Sequence, residues 1–415
     1  MSLSLAGLRS HLPRTNAEAI ATVVAVERLV RQDFSGPAPW AHRPCVQVWV
    51  GEVVERWGAP EGSIAVDPRR FPTRGTHSVG VKRPWCGHRG QVDTCQVGVS
   101  MGDVSRHEHA VLAFRLAWPE DGARDQQRRQ ACQVPEEVRD STRQAPGLER
   151  LDLWGEQGPH GWVTGDAALG RHTRLRRKLR ERDDRSGLGV PGKTTIRDRE
   201  APAPAYHGRG RRPKAPGQSG RAWRQSRGSA GWTRLTVRDG AKGPVELERR
   251  TRRVQTRLAR KRPGPAAWLV GTRRPLEDHR LWEPRASRDA TAQDARSRSQ
   301  YSRTPPGGSA GELPEPSLAE LARVIKAGTC MEASCKRGQG EGGMDASQVR
   351  TWQGWHHHMV LSLMAVWCLR GETHRGQHVP SALTLPQVRY GLSLLLLEVF
   401  CPPGIDSSCR PVQRQ

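Results

Sequence analysis

The amino-acid sequence predicts an α/β fold, because two different periodicities occupy different parts of the chain. Between residues 62 and 115, short apolar runs alternate with turns that contain Gly and Pro, which is typical of β-strands. A further short strand is predicted at 162–164, directly before a turn. Near the C-terminus, apolar runs at 359–369 and 390–400 are each long enough for about three helical turns.

The first 170 residues divide into a helical part and a strand-rich part. Residues 1–58 are expected to be helical, because Val and Ile recur there at helical spacing. The three runs within 62–115 are joined by turns, which predicts an antiparallel meander. The strand at 162–164 repeats the pattern of the first run, in which an apolar strand delivers an aspartate into a turn.

The second half of the chain is more polar. The basic stretch 248–262 is expected to form a helix, and 266–282 a strand and a turn. Residues 283–316 show no periodicity and almost no apolar residue, which predicts disorder. A helix is expected to begin near Leu318, and a final helix occupies 383–400.

Composition narrows the class of partner. The 415 residues carry a formal net charge of +25 with a hydrophobic share of only 35%, which favours a polyanion such as nucleic acid. The nine cysteines form no CxxC pair, so a disulfide framework is not expected. The N-terminus lacks the features of a signal peptide, and no apolar run reaches the roughly 20 residues needed to span a bilayer. These observations predict a cytoplasmic protein that does not contact membranes.

Two aspartates stand at equivalent places in the predicted strands. Asp67 follows the apolar residues 64–66, and Asp166 follows 162–164 at the edge of a turn flanked by glycines. Carboxylates at the ends of neighbouring strands are suited to holding divalent cations, which prefer oxygen ligands. The alternative is that each aspartate only terminates its strand, as Asp often does.

Several motifs, in consistent order over roughly 60–400, resemble the DDE-type insertion-sequence transposases. They are AVDPRRFPTRGTHSVGVKRPWCG, GQVDTCQVGVSMGDVS, GWVTGDAALG, EAPAPAYHGRGRRPKAP, LVGTRRPLEDHRLWE, QVRTWQGWHHHMVLSLMAVW and ALTLPQVRYGLSLLLLEVF. The resemblance implies a ribonuclease-H-like mixed sheet with flanking helices, an insertion between the second and third catalytic carboxylates, and disordered linkers. The implied domains are an N-terminal helical region (1–58), the first part of the catalytic domain (59–170), a basic insertion region (171–282), a disordered linker (283–316), the C-terminal helical part of the catalytic domain (317–400) and a tail (401–415).

The resemblance also implies a site and a reaction. Asp67, Asp166 and Glu332 are the expected catalytic residues, and they would hold two Mg²⁺ or Mn²⁺ ions for phosphoryl transfer. The expected substrate is double-stranded DNA, both transposon ends and target, bound by a homodimer and associated with the nucleoid. DNA-binding residues are expected on the third-carboxylate helix and in the basic insertion, namely Lys336, Arg337, Arg209, Arg211, Arg212 and Lys214.

Some residues depart from the pattern of the family. Gln339 stands where a lysine is expected, seven residues after the glutamate, and Ser347 stands where a tyrosine usually precedes the QVR motif. The segment 283–316 replaces an expected tyrosine-rich strand, as a frame-shifted stretch would. These departures predict a degenerate copy with weak or absent strand cleavage. Consecutive histidines at 356–358 point in different directions around a helix, so a shared metal site is not expected. The resemblance implies that they form a structural helix opening.

Three functions therefore compete. The first is a transposase that cleaves and transfers DNA strands with divalent cations. The second is a DNA-binding remnant of a transposase without catalytic activity. The third is a basic, disordered RNA-binding protein, which would unfold without cooperativity. A carboxylate-dependent divalent cation site distinguishes the first function from the second, and the third predicts no loss of function in Asp166→Asn.

Overall fold

A computed structural model describes residues 38–73, 75–83, 85–86, 91–118, 124–138, 158–202, 217–225, 231–240, 243–257, 263–273, 298–302, 317–347, 349–376 and 384–400, with single positions or pairs at 34, 122, 151, 204–205 and 207–208. The helices are α1 His42–Trp57, α2 Gln126–Ala131, α3 Ala167–Gly170, α4 Thr173–Glu181, α5 Gly220–Gln225, α6 Leu318–Glu341, α7 Trp352–Gly376 and α8 Leu385–Phe400. The strands are β1 Ser63–Pro72, β2 Trp85–Cys86, β3 Gln91–Val92, β4 Cys95–Val104, β5 His109–Leu116, β6 Trp162–Gly165, β7 Ser186–Gly189, β8 Thr195–Asp198, β9 Gln218–Ser219, β10 Thr233–Gly240, β11 Gly243–Arg257, β12 Pro263–Arg273 and β13 Arg298–Ser302.

One mixed sheet organises the described part of the chain. Its strand order is β5-β4-β1-β6-β7-β13-β12-β11-β8-β9, and β10 pairs with β11. In the first five strands, β4 is antiparallel to both β5 and β1, whereas β6 is parallel to both β1 and β7. The predicted meander and the predicted mixed sheet are therefore confirmed. Strand β7 lies beyond residue 170, within the stretch that the sequence assigned to the insertion.

Helices cover both faces of this five-strand part. Successive side chains of a strand point to opposite faces, and β1 follows that rule: Ile64 and Val66 pack in one core, and Ala65 and Phe71 in another. The first core is shared with α1 and α4. The second is shared with α6 and α7, where Met331 and Trp355 are fully buried. The odd-numbered residues of β1 therefore face α6.

The strands after β7 extend the sheet and correct two expectations. The basic stretch 248–262 was expected to be helical, but residues up to Arg257 belong to β11, which pairs with β10, β12 and β8. Pairing with three neighbours satisfies its backbone groups, which outweighs the moderate helical preference of arginine. Strand β13 lies within 283–316, at five residues for which disorder was expected. Strand β13 pairs with both β7 and β12 and so satisfies backbone N–H and C=O groups that these two strands would otherwise leave unpaired.

Helix α6 carries the third expected carboxylate and begins with a strong local signal. Ser317 accepts a hydrogen bond from the backbone of Glu320, and the Glu320 side chain accepts one from the backbone of Ser317. This capping box satisfies two of the free N–H groups at the start of the helix. In the part of the chain that the structure describes, no helix is long and apolar enough to cross a bilayer.

Candidate active site

Asp67 lies in the middle of β1, and Asp166 directly follows β6, the parallel neighbour of β1. The register pairs Ala65 with Thr164 and Val66 with Gly165. Asp67 and Asp166 each follow the last registered pair by one residue, so they lie side by side. The strand that was expected to end at Asp67 continues to Pro72, whereas β6 ends at Gly165 as expected. Asp67 also belongs to the set of β1 residues that face α6. Asp67 is half-buried and Asp166 is exposed.

Asp166 has a second, structural role. Its Oδ1 accepts a hydrogen bond of 2.9 Å from the backbone N–H of Leu169, so it caps the short helix α3. This helix lies directly against β7, because Gly170 and Gly189 face each other. A Cβ added at Gly170 would lie 1.8 Å from the Gly189 carbonyl oxygen, and one at Gly189 would lie 2.8 Å from the Asp166 carbonyl carbon. Glycine at both positions therefore sets the place of Asp166.

Glu332 lies on the flank of α6 that is directed toward β1. Seven residues make nearly two helical turns, so Glu332 and Gln339 lie on one side of α6. Gln339 identifies that side, because its Oε1 accepts hydrogen bonds from Nε and Nη2 of Arg69 at 3.2 and 2.9 Å. The structure therefore places the residue that departs from the family pattern in contact with β1, two residues beyond Asp67.

The thiol of Cys335 links α6 to the backbone of Asp67 through the Ser100 hydroxyl. It is fully buried and donates to the Ser100 hydroxyl at 3.7 Å, and that hydroxyl donates to the backbone oxygen of Asp67 at 2.8 Å. Burial raises the pKa of Cys335 to about 12, and the charges of Asp67 and Glu332 both act to raise it. The two carboxylates therefore act on the same buried atom, from β1 and from α6.

The expected DNA-binding residues separate into three groups. Lys336 is exposed and lies one helical turn after Glu332, on the same flank of α6. Arg337 is also exposed but lies on the opposite flank, where it lines a cavity of about 30 Å³ beside Trp367 and Arg370. The remaining residues lie outside the described part of the chain; they are Arg209, Arg211, Arg212 and Lys214.

The donor set fits divalent cations by its chemistry. Asp67, Asp166 and Glu332 offer oxygen ligands only, which is the set that Mg²⁺ and Mn²⁺ prefer. The three side chains do not yet converge: within the described residues, no group of three or more His, Cys, Asp or Glu side chains is close enough to hold a metal ion. Joint ligation would need the three carboxylates to come closer together, and Oδ2 of Asp166 could serve as the ligand while Oδ1 caps α3.

The three consecutive histidines hold the beginning of α7 in place. His356 Nδ1 lies 2.9 Å from the Trp352 carbonyl oxygen, and His358 Nε2 lies 2.9 Å from that of Gly343. His357 Nε2 lies 2.9 Å from the Trp40 carbonyl oxygen, and its ring stacks on Trp40 with centroids 3.7 Å apart. The three rings therefore point to three separate partners, which confirms their predicted structural role.

Four positions matter to this geometry and were not singled out by the sequence. Gly170 and Gly189 allow α3 to approach β7, and Ser100 and Arg69 connect β1 and β4 to α6. The glycines that flank Asp166 were a visible signal for a close approach. Nothing in the sequence indicated the contact between Arg69 and Gln339, because 270 residues separate them.

Comparison with known families agrees with this geometry. The family model of the DDE superfamily endonucleases matches residues 1–244, which is more than half of the chain and includes Asp67 and Asp166. No curated protein matches the chain. The mixed sheet with flanking helices is the ribonuclease-H-like arrangement expected of such enzymes. The chain belongs to the DDE superfamily endonucleases.

Proposed function

We propose that this protein is a DNA endonuclease of the transposase type, which cleaves and transfers DNA strands with divalent cations held by Asp67, Asp166 and Glu332. The observation that carries the proposal is the parallel register of β1 and β6, which brings the two aspartates side by side. Helix α6 adds Glu332 from the face of the sheet that Asp67 occupies.

The residues of the proposed site would have different roles. The three carboxylates would hold and orient the cations, and Lys336 would contact the DNA backbone beside them. Bound Mg²⁺ or Mn²⁺ would neutralise charge on the phosphate and favour deprotonation of the attacking water or 3′-hydroxyl. The net charge of +25 would attract DNA by counterion release, and nucleoid association would follow from it.

A second function, that of a DNA-binding remnant, is favoured by one observation. In the described residues the three carboxylates do not form a group that could hold a metal ion. Two-metal chemistry requires ligands placed to within about 0.5 Å. A copy that cannot complete this movement would bind DNA without cleaving it.

The test compares isosteric amide variants on DNA that flanks the coding gene on either side. Purified protein with Mg²⁺ or Mn²⁺ is assayed for nicked and joined products, using Asp67→Asn, Asp166→Asn and Glu332→Gln. Glu181→Gln is the matched control, because Glu181 is a surface residue of α4 paired with Lys178 at 3.1 Å. The proposal predicts that each of the first three variants loses at least about a hundredfold in rate, while the control cleaves normally.

The outcomes separate the two functions. DNA binding without cleavage in either cation, unchanged by the amide variants, would establish the remnant. Sedimentation of the DNA complex would test the expected homodimer, which stays a prediction.

A further inference from the structure

Arg69 occupies an unusual position for a cation in this sheet. It lies on β1 two residues after Asp67, on the same face, and it is half-buried. A strand advances about 6.6 Å over two residues, and a helix about 6 Å over four. The distance along β1 from Asp67 to Arg69 is therefore close to the distance along α6 from Cys335 to Gln339. Helix α6 lies beside β1, and Arg69 contacts Gln339.

The partner of Arg69 is neutral, in contrast to those of Arg252 and Arg273 in the same sheet. Arg252 pairs with the carboxylates of Asp198 and Glu200, and Arg273 pairs with Glu248. Arg69 donates through Nε and Nη2 to an amide oxygen, and in the described residues it has no carboxylate partner. The amide fixes the plane of the guanidinium without neutralising its charge.

The guanidinium acts on the same site as the carboxylates. Its charge lowers the pKa of Cys335, while those of Asp67 and Glu332 raise it. A DNA phosphate that approaches two carboxylates is repelled by them unless cations lie close by. Arginine is well suited to binding a phosphate near these carboxylates, because its planar donors match the oxygens of a phosphate.

We propose that Arg69, oriented by Gln339, binds a phosphate of the DNA strand that lies against the carboxylate site. The inference rests on the proposed function for the location of the DNA. Gln339 acts as a positioning residue, since it accepts hydrogen bonds from Nε and Nη2 of Arg69 and leaves the Nη1 donors for a ligand.

The experiment measures DNA affinity, so it does not depend on cleavage. Fluorescein-labelled duplexes from the DNA that flanks the gene are titrated at a fixed low concentration of Ca²⁺, which takes the same oxygen ligands. The dissociation constant is followed between about 50 and 200 mM NaCl. Arg69→Ala is expected to weaken binding about tenfold and to reduce the salt slope by about 0.9, the value for one phosphate contact.

Arg70→Ala is the matched control, because Arg70 is the next residue of the same strand and points to the opposite face. Arg70→Ala removes the same charge as Arg69→Ala, but from the face of β1 that does not meet the DNA in the proposal. The expected loss of affinity is therefore smaller, and the salt slope should not change. Gln339→Ala should reproduce part of the loss, and the double variant should bind no worse than Arg69→Ala alone. Melting temperatures identify any variant that fails to fold. In that case Arg69→Gln, which removes the charge and keeps a polar side chain, replaces Arg69→Ala with the same expected change in salt slope.

Two results would overturn the inference. One is an Arg69→Ala salt slope equal to that of the wild type, and the other is an equal loss in Arg70→Ala. If Asp67→Asn abolishes cleavage and Arg69→Ala binds normally, only the role of Arg69 fails. If Asp67→Asn cleaves as the wild type does, the proposed function fails regardless of Arg69.

Discussion

Asp166 offers a way to separate folding from chemistry at one carboxylate. Its Oδ1 caps α3 through the 2.9 Å bond to the Leu169 N–H. Asparagine keeps an oxygen at that position and is as good a cap as aspartate, whereas alanine removes the cap. Only aspartate brings the negative charge that a divalent cation requires.

The magnitudes follow from these two roles. Replacing an N-cap by alanine costs about 1 kcal/mol in the free energy of unfolding, and replacing it by asparagine costs close to nothing. Helix α3 has four residues and lies against Gly189, so the loss of the cap also loosens the contact with β7. Both variants should lose cation-dependent cleavage to the same extent.

Urea unfolding and divalent cation binding by calorimetry measure the two effects. The expected order of stability is wild type equal to Asp166→Asn and above Asp166→Ala. The expected order of cation affinity is wild type far above both variants. If Asp166→Asn is as unstable as Asp166→Ala, the cap is not the structural role; if Asp166→Asn binds cations normally, Asp166 is not a ligand.

Two further predictions test the packing and the electrostatics of the sheet. A Cβ at Gly102 would lie 2.7 Å from the backbone oxygen of Ala110 and 2.5 Å from the Met331 Sδ, so Gly102→Ala should lower the free energy of unfolding by about 1–3 kcal/mol and reduce cleavage by displacing the adjacent Glu332. Its control, Gly51→Ala, meets no atom within 4 Å and should stabilise α1 by up to about 1 kcal/mol; equal urea midpoints would contradict the clash. Burial raises the pKa of Asp103 from 3.8 to about 7, so the native state retains a proton that the unfolded state releases, and stability should fall as pH rises from about 4 to about 7. Asp103→Asn should flatten that fall in urea midpoints, and an unchanged slope would refute the assignment.

Local patterns were sufficient to predict the elements that carry the site. The short apolar runs before Asp67 and Asp166 predicted both strands, but the turn expected directly after Asp67 is wrong, because β1 continues to Pro72. The sequence S-L-A-E at 317–320 matches the capping box that begins α6. The parallel pairing of β1 with β6 joins segments about 100 residues apart, and side-chain patterns do not contain that register.

Tertiary contacts explain the elements that were predicted wrongly from the sequence and the contacts that could not be predicted from it. The arginines of β11 have a moderate helical preference, but three neighbouring strands supply the hydrogen bonds that fix it as a strand. Gln339 was visible as a departure from the family, yet its partner Arg69 could not be identified without the packing of α6 on β1.

The central claim is that Asp67, Asp166 and Glu332 hold divalent cations as one site. The most direct measurement is the anomalous difference density of Mn²⁺ in crystals of the DNA complex. The account predicts a peak bounded by oxygens of all three carboxylates, absent in Asp166→Asn crystals. A peak elsewhere, or none beside Asp67 at saturating Mn²⁺, would contradict it.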